Sequence, residues 1–162
     1  AATAVPEVAE RCRAIALRVN ALLSVADSGP IVPVHGDFYE ANVFVVTGGS
    51  RVSGIIDVDS IGPGHRVDDL ACLLGHISVL PHLAPRSYPH VGEVLPVWAS
   101  MCERMVDPVA LNARAAGVVL SLVAGAKRLD GREWRTDALG RVSTAEWWLD
   151  RAELWAAHRA VM

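Results

Sequence analysis

The sequence predicts an α+β domain that is mostly helical and carries one small β-hairpin near its N-terminal third. Apolar residues recur at helical spacing over most of the chain. Between residues 31 and 56 the period changes, and short β-branched runs flank Thr47-Gly48-Gly49-Ser50, a sequence typical of a tight turn. The 162 residues are 52% hydrophobic and 20% charged, which is the composition of one packed domain rather than of a disordered chain.

The first predicted helix covers residues 6–23. Pro6 suits the first helical position, and an apolar stripe recurs every three to four residues until Ser28, Gly29 and Pro30 interrupt it. The later part of the chain is predicted to be helical as well. Its helices are expected from Asp68 and Asp69 to a stop at Pro81 and Pro85, over residues 91–105 with a candidate kink at Pro96, over residues 108–129, and from a capping box formed by Ser143 and Glu146.

The β region lies between the first two predicted helices. A short run at Ile31–Val34 precedes a polar loop over residues 35–42. Residues 43–46 and 51–56 are predicted to pair as the hairpin, and residues 61–66, rich in Gly and Pro, are predicted to form a loop.

Charge and composition argue against several classes of partner. Lys and Arg number 15 against 18 Asp and Glu, so the net charge is −3 and gives no general attraction to nucleic acid or anionic membranes. The apolar run at residues 115–126 is shorter than the ~20 residues of a bilayer span, and no secretory signal opens the chain. Three widely spaced cysteines predict neither a zinc site nor a disulfide framework. We therefore expect no nucleic-acid or membrane partner.

Polar side chains gather at one end of the predicted hairpin. Asp37 and Asn42 precede its first strand, and Asp57 and Asp59 follow its second strand, so Asn42 and Asp57 are expected at the same end. An amide oxygen and one or two carboxylates suit Mg²⁺ that also binds substrate phosphates. Asp37 is then placed to hold a hydroxyl near a metal-bound phosphate, as phosphoryl transfer requires. The alternative is a polar turn cluster whose side chains cap backbone groups.

Residues 35–71 resemble the aminoglycoside phosphotransferase and choline kinase-like family, relatives of the protein kinases. The shared pattern is His-Gly-Asp, four residues, Asn, a hairpin ending in Ile-Asp-x-Asp, and then Asp-Leu-Ala. The resemblance implies that Asp37 is the catalytic aspartate and that His35 braces the catalytic loop. It further implies that Asn42 and Asp57 hold Mg²⁺ and the cofactor phosphates. Asp59 matches the second acidic position of the family, which serves either the metal or only the loop. Asp69 is expected to cap and anchor the loop.

The same resemblance implies a fold and an activity. Residues 1–162 are expected to form a protein-kinase-like C-terminal lobe, with the β-hairpin carrying the catalytic loop. The implied reaction transfers phosphate from ATP, with Mg²⁺, to a hydroxyl of an aminoglycoside-like compound, amino-alcohol or sugar in the cytoplasm. No glycine-rich loop precedes His35, and the only lysine is Lys127. The ATP-binding lobe is therefore expected to be absent from these residues, and the isolated chain is expected to be inactive or nearly so.

Two alternatives remain open from the sequence. The chain is a non-catalytic kinase-like module whose exposed lobe surface pairs with another protein or a second copy, or its aspartates catalyse metal-dependent hydrolysis without ATP. A glycine-rich strand and a lysine encoded upstream of Ala1 would favour the enzyme over the module, and activity retained without nucleotide would favour hydrolysis.

Overall fold

A computed structural model describes residues 5–126 and 134–161 and confirms the α+β class. Five helices carry most of the chain, and four short strands lie between the first two helices. The helices are α1 (Ala9–Leu23, after a 3-10 turn at Pro6–Val8), α2 (Arg66–Leu83), α3 (Val91–Cys102), α4 (Pro108–Leu122, continued by a 3-10 turn at Val123–Ala126) and α5 (Arg135–Val161). The strands are β1 (Ile31–Val34), β2 (Val43–Val45), β3 (Val52–Ile55) and β4 (Gly62–His65).

The core forms where α4 packs against α1, α2 and α5. Trp148, Leu111 and Leu74 are among its fully buried side chains. The indole nitrogen of Trp148 donates to the Ser78 hydroxyl at 3.2 Å, so its buried polar atom has a partner. By length and composition α4 and its 3-10 extension, residues 108–126, could cross a membrane, and 56% of the apolar window is buried inside the fold.

The prediction that residues 61–66 form a loop was wrong, because β4 pairs antiparallel with β1 from Ile31 opposite His65 to Val34 opposite Gly62. Glycine and proline are rare in strands, so the sequence does not indicate this one, but each of these residues fits its position in the pairing. Pro33 and Pro63 face each other. A Cβ on Gly64 would stand 2.5 Å from a methyl of Val34, so only glycine leaves room for that side chain.

Helix boundaries differ from the predictions at several prolines and caps. The α2 helix begins at Arg66 rather than Asp68 and passes Pro81, ending at Leu83, because an internal proline removes one backbone hydrogen bond without preventing the next. The α3 helix likewise contains Pro96 and ends at Cys102 rather than at residue 105. The α4 helix ends at Leu122, and the predicted end at residues 127–129 lies outside the described residues.

The predicted start of the last helix at Ser143 was also wrong. The α5 helix begins at Arg135, and Glu146 accepts two hydrogen bonds from Arg11 of α1, at 2.9 and 2.7 Å. Two helical turns further along both helices, Arg18 makes the same bidentate contact with Glu153 at 2.7 and 2.6 Å. The Ser-x-x-Glu pattern thus belongs to a helix–helix seam and not to a cap.

A buried charge pair joins α3 and α5. The Glu103 side chain is 4% exposed and accepts from Arg151 at 2.6 and 2.7 Å and from Asn112 at 2.8 Å. We expect Arg151→Ala to lower the free energy of unfolding by about 3–5 kcal/mol, because the Glu103 carboxylate stays buried without its cation. Urea denaturation measures the change.

Arg18→Ala is the matched control for that prediction. It breaks an exposed bidentate pair of the same chemistry, in which Arg18 of α1 contacts Glu153 of α5, and should cost about 1 kcal/mol or less. Equal losses in the two variants would contradict the role assigned to the buried pair.

Candidate active site

The polar loop connects β1 to β2 and lies against the start of α2. His35 is 7% exposed, and both nitrogens of its ring contact backbone atoms. Its Nδ1 accepts from the Asp37 N–H at 3.3 Å, so Nε2 carries the proton and donates to the Ile56 carbonyl at 2.9 Å. His35 therefore ties the loop to the end of β3, one residue before Asp57.

Asp69 of α2 holds the other side of the loop. Its two carboxylate oxygens accept from the N–H groups of His35 and Gly36, at 2.8 and 3.0 Å. Charge-assisted bonds to two consecutive N–H groups fix the backbone immediately before Asp37. These contacts agree with the predicted role of Asp69 as an anchor of the loop.

Gly36 allows the loop to pass close to the turn after β3. Its φ is +86°, and a Cβ at this position would stand 2.7 Å from the Ser60 carbonyl oxygen. Both the backbone conformation and the space therefore require glycine. This close approach holds the loop of Asp37 beside the turn that contains Asp59.

Substitution of Gly36 should consequently affect folding. We expect Gly36→Ala to lower the free energy of unfolding by at least about 2 kcal/mol, from strain at positive φ and from the clash with Ser60. Gly48→Ala is the control, because Gly48 has φ +90° but nothing within 4 Å of its added Cβ. Thermal unfolding of both variants separates the clash from the strain, and equal losses would show that the contact with Ser60 has no importance.

Hydrogen bonds link Asp37 to Asn42 and Asn42 to Ile56, the residue before Asp57. The Asn42 side-chain nitrogen donates to the Asp37 carbonyl at 3.0 Å, and the Asn42 carbonyl accepts from the Ile56 N–H at 3.0 Å. Asn42 is 4% exposed, and within the described ranges no group donates to its Oδ1. The hairpin register, with Val43 opposite Ile55, places Asn42 and Asp57 at the same end, as the sequence predicts.

Asp57 has an unusual backbone. Its φ and ψ are 59° and 51°, and it is the one residue other than glycine with positive φ in the part of the chain that the structure describes. Asp and Asn tolerate this conformation better than other side-chain-bearing residues, and such outliers concentrate at functional sites. The carboxylate is exposed and caps none of the N–H groups of the following turn.

Asp59 lies in that exposed 3-10 turn, Val58–Ser60. Among residues 5–126 and 134–161, no three His, Cys, Asp or Glu side chains form a group able to hold a metal ion. The aspartates at positions 37, 57 and 59 thus do not form such a group by themselves. A pair of one Asn and one Asp, such as Asn42 and Asp57, is a different kind of metal site, because it does not consist of three His, Cys, Asp or Glu side chains.

Three further residues border Asp37, and the motif gives no signal for them. Cys72 of α2 lies with Sγ 4.0 Å from Asp37 Oδ1. The ring of His76 stacks on Tyr39 at 4.5 Å between centroids, and burial lowers its pKa while the charges of Glu40 and Asp37 oppose that shift. Glu40 has one buried carboxylate oxygen without a hydrogen bond.

An apolar cavity of about 430 Å³ adjoins the other side of the loop. Its walls come from β1, the end of β3, the turn after Asp57 and the start of α2. They include Val34, His35, Phe38, Ile55, Val58, Ile61 and Leu70. Beyond it, the hairpin exposes Phe44, Val45, Val52 and Ile55, which are 46–56% accessible. Ile55 belongs to both the cavity wall and the exposed hairpin side chains, and exposed apolar side chains of this kind are typical of an interaction site.

Comparison with known proteins identifies the family. The family model described as the phosphotransferase enzyme family matches residues 1–102, which include the whole loop, the hairpin and α2. Searches of curated proteins and of solved structures found no match. The match covers well over half of the chain and agrees with the resemblance seen in the His-Gly-Asp and Ile-Asp-x-Asp motifs, and the chain therefore belongs to the phosphotransferase enzyme family.

Proposed function

We propose that this chain is the catalytic-loop lobe of an ATP-dependent phosphotransferase that acts on a hydroxyl of a small molecule. The observation that carries the proposal is the hydrogen-bonded arrangement of Asp37, Asn42 and the strand end before Asp57. The candidate base Asp37 is hydrogen-bonded to the Asn42 amide, and Asn42 is hydrogen-bonded to the residue before Asp57. Family membership supports the general reaction.

Asp37 is the residue that meets the acceptor hydroxyl in this proposal. Its backbone is fixed from both sides, by the Asn42 side chain at its carbonyl and by the His35 ring at its N–H. The carboxylate accepts or orients the hydroxyl proton, and the hydroxyl oxygen attacks the γ-phosphorus as ADP leaves. Rate enhancement comes from positioning the two reactants and from electrostatic complementarity.

Asn42 and Asp57 are the residues that would hold Mg²⁺. The Asn42 side-chain nitrogen donates to the Asp37 carbonyl, so Oδ1 is the atom of Asn42 that can bind a metal ion. The Asp57 carboxylate is exposed at the same end of the hairpin. Both are hard oxygen ligands, the type Mg²⁺ prefers. When bound, Mg²⁺ would neutralise charge on the ATP phosphates. Asp59 is a further candidate ligand. Both ring nitrogens of His35 are hydrogen-bonded to backbone atoms, which favours a role in positioning the loop over a role in proton transfer.

The kinase-like arrangement also assigns a partner to the apolar surface. We infer that an ATP-binding lobe outside these 162 residues covers the exposed side chains of β2 and β3 and the cavity beside His35. Burial of such side chains contributes about 25 cal/mol for each Å² removed from water. The same surface supports the second candidate function, a non-catalytic module that pairs with a second copy or another protein. ATP use in the cytoplasm belongs to the first proposal only.

One experiment tests the function. The intact protein that contains this chain is incubated with [γ-³²P]ATP, Mg²⁺ and a panel of amino sugars, amino-alcohols and sugars, and label transfer to the acceptor is followed. We expect transfer by the intact protein and very little by residues 1–162 alone. Intact protein without transfer to any acceptor, but self-associating in solution, would favour the module.

A further inference from the structure

One face of α2 contacts three consecutive loop residues, His35, Gly36 and Asp37. Asp69 and Cys72 are three positions apart and therefore share that face. Asp69 accepts from the N–H groups of His35 and Gly36, and the Cys72 Sγ lies 4.0 Å from Asp37 Oδ1, within reach of an S–H hydrogen bond. Asp69 thus fixes backbone atoms, while Cys72 contacts the carboxylate itself.

The environment of Cys72 keeps its thiol protonated. Burial, with the negative charges of Asp37, Asp69 and Glu40, raises the pKa of Cys72 to about 11. At neutral pH the group is therefore S–H, a weak donor beside an acceptor, and not a thiolate that would repel the carboxylate. Asp37 Oδ2 receives no hydrogen bond from the described residues and is left for another donor.

We propose that Cys72 is a positioning residue for Asp37. Its S–H group holds Oδ1 and thereby turns Oδ2 toward the acceptor hydroxyl. The inference rests on the proposed phosphotransferase function, because it concerns the orientation of the base and not the nucleotide or the metal. It adds a contact from α2 that the loop motif itself does not contain.

Kinetics of cysteine variants in the intact enzyme test the proposal. We expect Cys72→Ala to lower kcat about fivefold, as loss of a weak bond to a charged group predicts, with KM for ATP unchanged. Cys72→Ser replaces the thiol with a hydroxyl donor and should retain kcat within about twofold of the wild type. A role in packing alone would make serine, the more polar substitute, the more harmful of the two.

Cys102 provides the matched control. It is half-buried on α3, and burial with the charge of Glu103 raises the pKa of its thiol. Cys102→Ala should leave kcat unchanged. Unchanged kcat in Cys72→Ala, or equal losses in the alanine and serine variants, would overturn the proposal.

A second measurement needs no activity and separates this proposal from the proposed function. Asp37→Asn removes a negative charge next to Cys72, so the pKa of that thiol should fall and its alkylation by iodoacetamide at pH 8.5 should accelerate, while alkylation of Cys102 stays constant. Peptide mass spectrometry reads both rates. Faster Cys72 alkylation in Asp37→Asn would confirm the contact, and if the wild-type intact protein also transferred no phosphate, the function would be rejected while the contact stood. An unchanged alkylation rate would overturn the contact.

Discussion

Asp37→Asn is expected to lower kcat of the intact enzyme about 1000-fold, within the range that a positioned base contributes. The asparagine has nearly the same shape, and its Oδ1 still accepts a hydrogen bond, but it cannot take up the proton and carries no charge, so the hydroxyl loses its base. Backbone contacts of the loop, from His35 and Asn42, involve main-chain atoms of residue 37 and persist in the variant. KM for ATP should change little, and steady-state phosphoryl transfer measures both constants.

Asp150→Asn is the control for this substitution. Asp150 is exposed on α5 and pairs with Arg18 at 3.3 Å, away from the loop. Its kcat should equal that of the wild type. An Asp37→Asn enzyme with more than about a tenth of wild-type kcat would mean that another group serves the acceptor hydroxyl.

Asp57→Asn is expected to raise the Mg²⁺ concentration for half-maximal activity by about 10- to 100-fold, the usual effect of weakening a metal site. Asparagine also tolerates positive φ, so the variant removes charge while keeping the backbone at φ 59°. A fall in kcat at saturating Mg²⁺ should accompany the weaker binding. Titration of activity with Mg²⁺, supported by calorimetry on the nucleotide-bound protein, provides the measurement.

Asp59→Asn separates the two acidic positions that the sequence leaves unresolved. Asp59 lies two residues further along in an exposed turn, and no third acid joins it within the described part of the chain. We expect the Mg²⁺ concentration for half-maximal activity of Asp59→Asn to stay within about threefold of the wild-type value. The reverse ranking, with Asp59→Asn the more damaged enzyme, would move the metal position from residue 57 to residue 59.

Local patterns predicted much of the candidate site. Asp37, Asn42 and Asp57 stand out because the hairpin signal at residues 47–50 brings both arms back to one end, a consequence of short-range geometry alone. The anchoring role of Asp69 followed from the family resemblance. Cys72 could not be found in this way, since its contact with Asp37 spans 35 residues and arises from how α2 packs against the loop.

The errors in the fold have a common cause. A strand made of Gly62, Pro63 and Gly64 has no β propensity, and it exists because β1 offers a matching edge. Pro81, predicted to end its helix, lies inside α2 because packing on the helical core outweighs one missing hydrogen bond. The pattern at Ser143 and Glu146 has the spacing of a cap, but Arg11 of a distant helix takes the carboxylate.

By itself the sequence determined the α+β class, the hairpin and the loop that carries the candidate chemistry, because hydrophobic period, turn residues and motif spacing act within a few positions of one another. The tertiary structure decided which side chains hold that loop in place. The contact of Cys72 spans 35 residues and the β1–β4 pairs span 28 to 34, while Asp69, the anchor that the family motif predicted, acts across 34. Contacts at that range depend on the packing of whole elements, which no local pattern encodes.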